Sequence, residues 1–130
     1  MVSFTAHYPL PTANSGAVRS PQHTGSHAVE ALSRSVYIVT ASVEPEWETD
    51  FNRWYDEEHV PALKKVPGVL SARRFRTDEG APQYVALYHL TGPEVASSDA
   101  WKKAVETPWT ARIRPAFRNM LRLVLRKYEG

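Results

Sequence analysis

The sequence predicts an α+β domain whose elements follow in the order β-α-β-β-α-β. Folded, this order makes a four-stranded antiparallel sheet with both helices on one face. Three observations predict it. Four short runs are rich in Val, Ile, Leu and Tyr and carry the strand signal. Two longer segments space their apolar residues at helical intervals and begin beside a proline. The two middle strand runs are joined by a Gly- and Pro-containing turn, so they pair as a hairpin. At 130 residues the chain has room for one sizeable core.

Residues 1–34 read as a flexible N-terminal extension, with Pro9, Pro11, Pro21, Gly16 and Gly25 among many Ser, Thr and Ala and no sustained period. A short helix at Ala28–Leu32 is the one element expected there. The domain proper is assigned to residues 35–130. "VYIVTASV" is a β-branched apolar run and the first strand. "EPEWETDFNRWYDEEH" is the first helix. Pro45 suits its first turn, and Glu44, Glu46 and Glu48 favour the positive end of its dipole. Pro61 is expected to break or kink this helix, because proline lacks the N–H that the helical ladder needs. A helical turn to Val66 then ends at Pro67-Gly68. "VLSARRFR", the turn "DEGAP" and "QYVALYHL" form the hairpin. "GPEVASSDAWKKAVE" is the second helix, with Ser97, Ser98 and Asp99 able to end one short helix and cap another. "PWTARIRPAF" is irregular or a helical turn, and "NMLRLVLRKY" is the last strand.

The first strand is apolar on both alternations, with Tyr37, Val39 and Ala41 on one side and Val36 and Ile38 on the other. Helices on one face leave the second apolar face bare. A second copy of the chain is its simplest cover, which predicts a homodimer with the sheets face to face.

Composition narrows the chemistry. The absence of cysteine excludes disulfides, thiolate metal sites and a cysteine nucleophile. No apolar run approaches the roughly 20 residues of a membrane span. The N-terminus lacks the order of a secretion signal, so a cytoplasmic location is expected. No Gly-x-Gly or phosphate-binding loop occurs. The net charge is +2 but unevenly spread. Seven of the fourteen acids lie between Glu44 and Glu58, and eight bases against one acid lie between Lys102 and Lys127. Arg122 and Arg126 alternate with Leu121, Leu123 and Leu125, as on the wet side of a strand. The bases do not interleave with aromatics in any single-strand-binding pattern, so no nucleic-acid partner is expected. His59 and His89 are the only histidines of the domain, and with Glu58 they make a two-His, one-carboxylate set only if all three meet across the helix–sheet space; no metal site is assigned, and no cofactor is expected.

The stretch "FNRWYDEEHVPAL" carries the functional signal. On a wheel of about 100° per residue with Phe51 at zero, Trp47, Trp54 and Tyr55 fall at about −40°, −60° and +40°. They make the stripe that faces the sheet. Glu58 falls at about −20°, inside the stripe, and His59 at about +80°, on its edge. A buried carboxylate needs a partner. Glu58 is therefore expected to meet Arg73, Arg74 or His89, or to bend out to water. His59 has the pKa suited to proton transfer near neutrality. A structural reading stands beside it, in which the histidine caps the end of the helix.

The segments "DFNRWYDEEHVPAL", "VPGVLSARRFR" and "YVALYHL" resemble the dimeric α+β barrel superfamily, of ferredoxin-like fold, and in particular its EthD-like branch or related small bacterial proteins of unassigned function. An aromatic pair followed by His-x-Pro-x-Leu carries the resemblance, which covers about residues 35–128. It implies a pocket between helices and sheet that His59 faces, with Trp54 and Tyr55 in its walls. The activity it suggests first is a cofactor-independent isomerase, cyclase or dehydratase (lyase-like) acting on a small hydrophobic aromatic or lactone-like molecule. In that reading His59 is the general acid/base, and Glu58 or Asp56 orients it. Arg73 or Arg74 stabilises an enolate or carboxylate; they face opposite sides of a strand, so only one can serve. Tyr84, Tyr88 and Trp109 are further substrate-binding candidates. The alternatives are a non-catalytic ligand-binding or accessory protein, and an oxygenase that is cofactor-free or haem-dependent.

Overall fold

The computed structural model describes residues 32–80 and 82–129. The expected extension and its short helix fall, but for the last residues, outside them. Strand β1 (Ser35–Val43) is central and pairs antiparallel with β3 (Tyr84–Leu90) and β4 (Phe117–Arg126), while β2 (Val69–Arg76) pairs with β3. The sheet is four-stranded in the order β2-β3-β1-β4. This is the ferredoxin-like α+β architecture that the element order implies.

The register sorts the side chains. Tyr37 faces Tyr88, Val39 faces Ala86 and Ala41 faces Tyr84, and these residues lie on the helix side. There they join the core around Phe51, Trp54, Leu63, Leu90, Trp101 and Ile113. Val36, Ile38, Val85 and Leu87 point to the other face. Leu121, Leu123 and Leu125 of β4 continue that face and remain exposed. Arg122 pairs with Val39 and therefore projects to the helix side. The alternation read from the sequence holds, but among the described residues both sides of β4 stay largely exposed, and the leucines share the bare face.

The first helical segment starts with a single 3-10 turn (Pro45–Trp47) and continues as α1 (Glu48–Trp54), a π-turn (Tyr55–His59) and α2 (Val60–Lys64). The chain does not break at Pro61. In the π-turn the Val60 N–H reaches back to the Tyr55 carbonyl, five residues away. That widened turn starts a new helical register, so Pro61 falls in the first turn of α2, where a missing N–H costs nothing. Gly68 then turns the chain at φ 97°, and its carbonyl accepts from the Thr91 N–H at 2.9 Å. A Cβ at Gly68 would come within 2.5 Å of Val95 Cγ2.

After β3, a 3-10 turn (Pro93–Ser97) leads to α3 (Asp99–Val105), whose cap Ser98 accepts from the Trp101 N–H. Then come α4 (Pro108–Ile113), capped by Thr107, and a 3-10 turn (Arg114–Ala116). The stretch left open between irregular and helical is thus one short helix and a turn. Where β4 begins, the β1–β4 register shifts between Thr40 and Ser42, and Asn119 takes a positive φ of 52°. Such a bulge re-aims the strand that follows it.

Candidate functional site

The site grows out of the π-turn. A regular helix advances about 100° per residue, and a π-turn advances less. His59 is therefore rotated from the edge of the apolar stripe into its middle, and Glu58 from the middle toward the edge. The outcome is the reverse of the wheel: His59 is buried and Glu58 half-exposed. The His59 ring stacks on the Trp54 indole at 4.2 Å and 24°, and meets Tyr55 edge-on at 5.3 Å.

The His59 imidazole borders a cavity of about 220 Å³ between the helices and the β1–β4 half of the sheet. Flat rings form its walls: Tyr37, Trp54, Tyr55, Trp101 and Phe117. Lys102, Glu106, Arg114 and Arg122 supply its charged groups. Burial, with the positive charges of Arg114 and Arg74, pushes the His59 pKa down to about 4. The ring is thus neutral at pH 7. Its Nδ1 is sealed without a hydrogen-bond partner. Burial pushes the Tyr55 hydroxyl up to about 12 and the Tyr37 hydroxyl upward as well; Arg74 opposes the first shift and Arg122 both.

Behind the Trp54 wall runs a chain of hydrogen bonds. The Trp54 indole N–H donates to Thr110 Oγ1 at 3.1 Å, Thr110 and Thr107 hydroxyls lie 2.9 Å apart, and Thr107 Oγ1 lies 2.5 Å from Glu58 Oε2. The carboxylate can only accept, so the single Thr107 proton goes to Glu58 and the Thr110 proton to Thr107. This chain holds α4 against the π-turn and sets the tilt of the indole beneath His59. It also answers the expected need of Glu58 for a partner, which is a threonine and neither Arg73, Arg74 nor His89.

The remaining sequence-derived candidates scatter. Trp54 and Tyr55 line the cavity as the resemblance implied. Arg73 pairs with Leu87 and points to the bare face, away from His59. Arg74 lies on the helix side but under the helix rather than in the cavity. It donates to Asn52 Oδ1 at 2.6 Å and to Asp56 Oδ1 at 3.0 Å, and sits 4.3 Å above the Tyr55 ring. Tyr84 is bonded to Glu48 and Asn52 in the core. Tyr88 is buried with its hydroxyl unpaired, packed on Tyr37 and Trp101 behind the cavity wall. Trp109 donates to Asp50 Oδ2 at 3.4 Å on the outer side of the helices. These five residues do not line the cavity. His89 bonds Ser33 at 2.9 Å on the far face of the sheet, so it cannot meet His59. Among the described residues no cluster of three or more His, Cys, Asp or Glu could hold a metal ion, and no helix is long and apolar enough to cross a membrane.

Sequence reasoning passed over Tyr37, Trp101, Thr110, Arg114, Phe117 and Arg122 as cavity residues. Only the pairing of Arg122 with Val39 reveals that this arginine shares a face with Tyr37. For Trp101 the spacing within α3 offered a usable signal, since the residue after a Ser-Asp cap and one apolar position points inward.

Several solved structures share this fold. SnoaB, a cofactor-independent oxygenase from Streptomyces nogalater, aligns with a TM-score of 0.51 at 16% identity, over 75% of this chain and 96% of its own. The heme-degrader MhuD from Mycobacterium tuberculosis, solved with two hemes bound in its active site, aligns at 0.51 and 20%, over 74% and 97%. A structure described as an antibiotic biosynthesis monooxygenase aligns at 0.57 and 11%, over 72% and 98%. These neighbours overturn the isomerase, cyclase or dehydratase reading, because the chemistry they carry is oxidative. No curated protein matches the chain. The resemblance pointed to the EthD-like branch, whereas the family model that matches is another. Described as a domain of unknown function (DUF4286), it spans residues 34–119 of the 130, and the chain belongs to that family.

Proposed function

We propose that this protein is a cofactor-independent oxygenase acting on a small, flat, electron-rich aromatic phenol or enol. The observation that carries the reading is a neutral imidazole stacked on an indole at the wall of a ring-lined cavity with cationic groups around it. The oxygenases among the structural neighbours support the same class of chemistry.

The chain's residues suit a substrate that is its own reductant. Tyr37, Trp54, Tyr55, Trp101 and Phe117 offer ring faces and edges to a planar guest. The positive field of Arg114, Arg122 and Arg74 favours the ionised phenolate or enolate over the neutral form, and that anion is electron-rich enough to react with O2. Neutral His59 holds the substrate oxygen through Nε2 and fixes the ring it belongs to. For an activated methylene the balance closes without another reductant. The carbon loses two hydrogens, one oxygen atom is retained as the carbonyl, and the other leaves as water.

A haem-dependent variant fits less well. A cavity of about 220 Å³ is below the roughly 300–1,000 Å³ of pockets for drug-sized ligands. Trp54 also covers one face of the His59 ring. No step is assigned to haem.

The bare sheet face bears on assembly. With Val36, Ile38, Leu87, Leu121, Leu123 and Phe75 uncovered, the reading includes a homodimer with the sheets face to face.

The test is oxygen consumption with a panel of small hydroquinones, naphthols and activated cyclic methylenes. Turnover is expected for at least one, with His59→Ala about 10²-fold slower or worse. Binding without oxygen uptake by any compound would overturn the oxygenase and leave a ligand-binding protein. Full activity in His59→Ala would remove the imidazole from the chemistry.

A further inference from the structure

We propose that the cavity selects an aromatic acid: a carboxylate on one or two fused rings, with the ring plane among the aromatic walls and the carboxylate at the cationic side. The inference rests on this cavity being the substrate site and on nothing about oxygen chemistry.

The charged groups at the cavity come from several elements and lean one way. Lys102 arrives from α3, Arg114 from the turn after α4, and Arg122 from β4. Glu106 is the one acid among them. It pairs with Arg114 at 3.6 Å, but both side chains are about half exposed or more, so water screens the pair and most of the guanidinium charge is left. Lys102 and Arg122 have no carboxylate partner among the described residues. In β4 the apolar residues Leu121, Leu123 and Leu125 go to the bare face, while Arg122 goes to the helix side beside Tyr37. A strand that covers only a core has no reason to aim an arginine there.

The field is felt inside. Arg114 and Arg74 depress His59, Arg74 and Arg122 act on the Tyr55 hydroxyl, and Arg122 acts on Tyr37. Both tyrosine hydroxyls stay un-ionised, so the only carboxylates paired with these cations among the described residues are Glu106 on Arg114 and Asp56 on Arg74, and Arg122 has none. A walled pocket focuses such a field and raises the local concentration of anions. Between arginine and carboxylate, the planar fork matches a bidentate acid better than a single phenolate oxygen. The cavity volume limits the guest to one or two rings.

Burial is the larger cause of the low His59 pKa, and an anion seated there opposes the part that Arg114 and Arg74 add to it. The imidazole pKa is then expected to rise from about 4 by that part when the acid binds, and the acid to bind more tightly as pH falls toward the new value. The charges that act on His59, Arg114 and Arg74, are both cationic; each has an acidic neighbour, Glu106 and Asp56, and Lys102 and Arg122 add further positive charge at the cavity.

The experiment titrates the full chain with 2-naphthoate, its methyl ester and 2-naphthol, followed by calorimetry and tryptophan fluorescence. Variants Arg122→Met and Arg114→Met keep much of the apolar stem and lose the charge. The acid is expected to bind at least tenfold more tightly than the ester to the native chain. That preference should fall below about threefold in the double variant, with ester affinity unchanged. NMR of His59 should show its pKa rising when 2-naphthoate is added. Equal affinity for acid and ester, no binding of the acid, or an acid preference that survives in the double variant would overturn the proposal. Oxygen uptake with neutral phenols but no affinity for 2-naphthoate sinks the anion site and keeps the oxygenase. Affinity for 2-naphthoate with no oxygen uptake from any hydroxynaphthoate keeps the anion site and sinks the oxygenase.

Discussion

His59 concentrates the conflict between packing and solvation. Its ring contributes a stacked face to the core, but burial and the positive charges of Arg114 and Arg74 disfavour its charged form. The folded chain therefore binds this proton only near pH 4, whereas an unfolded chain binds it near 6.5. Between those values the unfolded state carries more protons, so stability is full above about pH 6.5 and declines as pH falls toward 4. The loss below pH 4 is roughly 3 kcal/mol. Denaturant melts at pH 7 and pH 4.5 should show it, and His59→Phe, which keeps the stack, should flatten that part of the profile. An unchanged pH dependence in His59→Phe would mean that other groups cause the loss. The sealed Nδ1 belongs to the same conflict: a buried polar atom without a partner costs about 1–3 kcal/mol, a cost expected at a functional site.

At the scale of elements, the π-turn decides what the site is. A regular helix through residues 48–64 would present Glu58 to the interior and leave His59 at the rim. One widened turn exchanges them, and Thr107 and Thr110 of the capped α4 secure the result from the other side. Pro61 favours this arrangement, because a proline ring clashes with the carbonyl four residues earlier in a regular helix and removes one of its bonds. Pro61→Ala lifts that restriction. The expected outcome is unchanged helix content by circular dichroism, with the His59 pKa moving from about 4 toward the ordinary value by NMR and weaker ligand binding. A His59 pKa that stays near 4 would show that packing on Trp54 alone maintains the turn.

For the whole molecule, the two faces of the sheet differ in kind. The helix side is a filled core with a cavity at the β1–β4 end. The other side is an open apolar surface on which Leu121 and Phe75 are each 52% exposed. Large exposed apolar patches mark interfaces. A symmetric pairing of this face buries it with one set of side chains meeting itself. Leu123→Glu sets two charges together at such an interface. Sedimentation should show a dimer for the native chain and a monomer for the variant, with the near-ultraviolet dichroism of the core unchanged. A native chain that sediments as a monomer at all concentrations would assign the face to another partner.

Much of this was legible in local pattern. The β-branched runs, the turn at Pro67-Gly68, the hairpin and the capping serine each act over a few residues, and the element order follows from them. The sequence also singled out the stretch 51–63 and His59 as functional candidates, since ionisable groups within an apolar stripe stand out without any coordinates. Other features depended on distances that no local pattern carries. Arg73 and Arg74 differ by one position, and only the register against Leu87 and Ala86 says which lies under the helix. Arg122 reaches the cavity through its pairing with Val39, and Thr107 finds Glu58 across 49 residues. The wheel misplaced Glu58 and His59 because it assumes a constant advance per residue, which the π-turn violates. The sequence by itself therefore determined the elements, their order and the helix that bears the histidine. Tertiary structure alone decided which way that histidine turns and which charges surround it, because burial and long-range pairing set a side chain's environment, and with it the proton it holds.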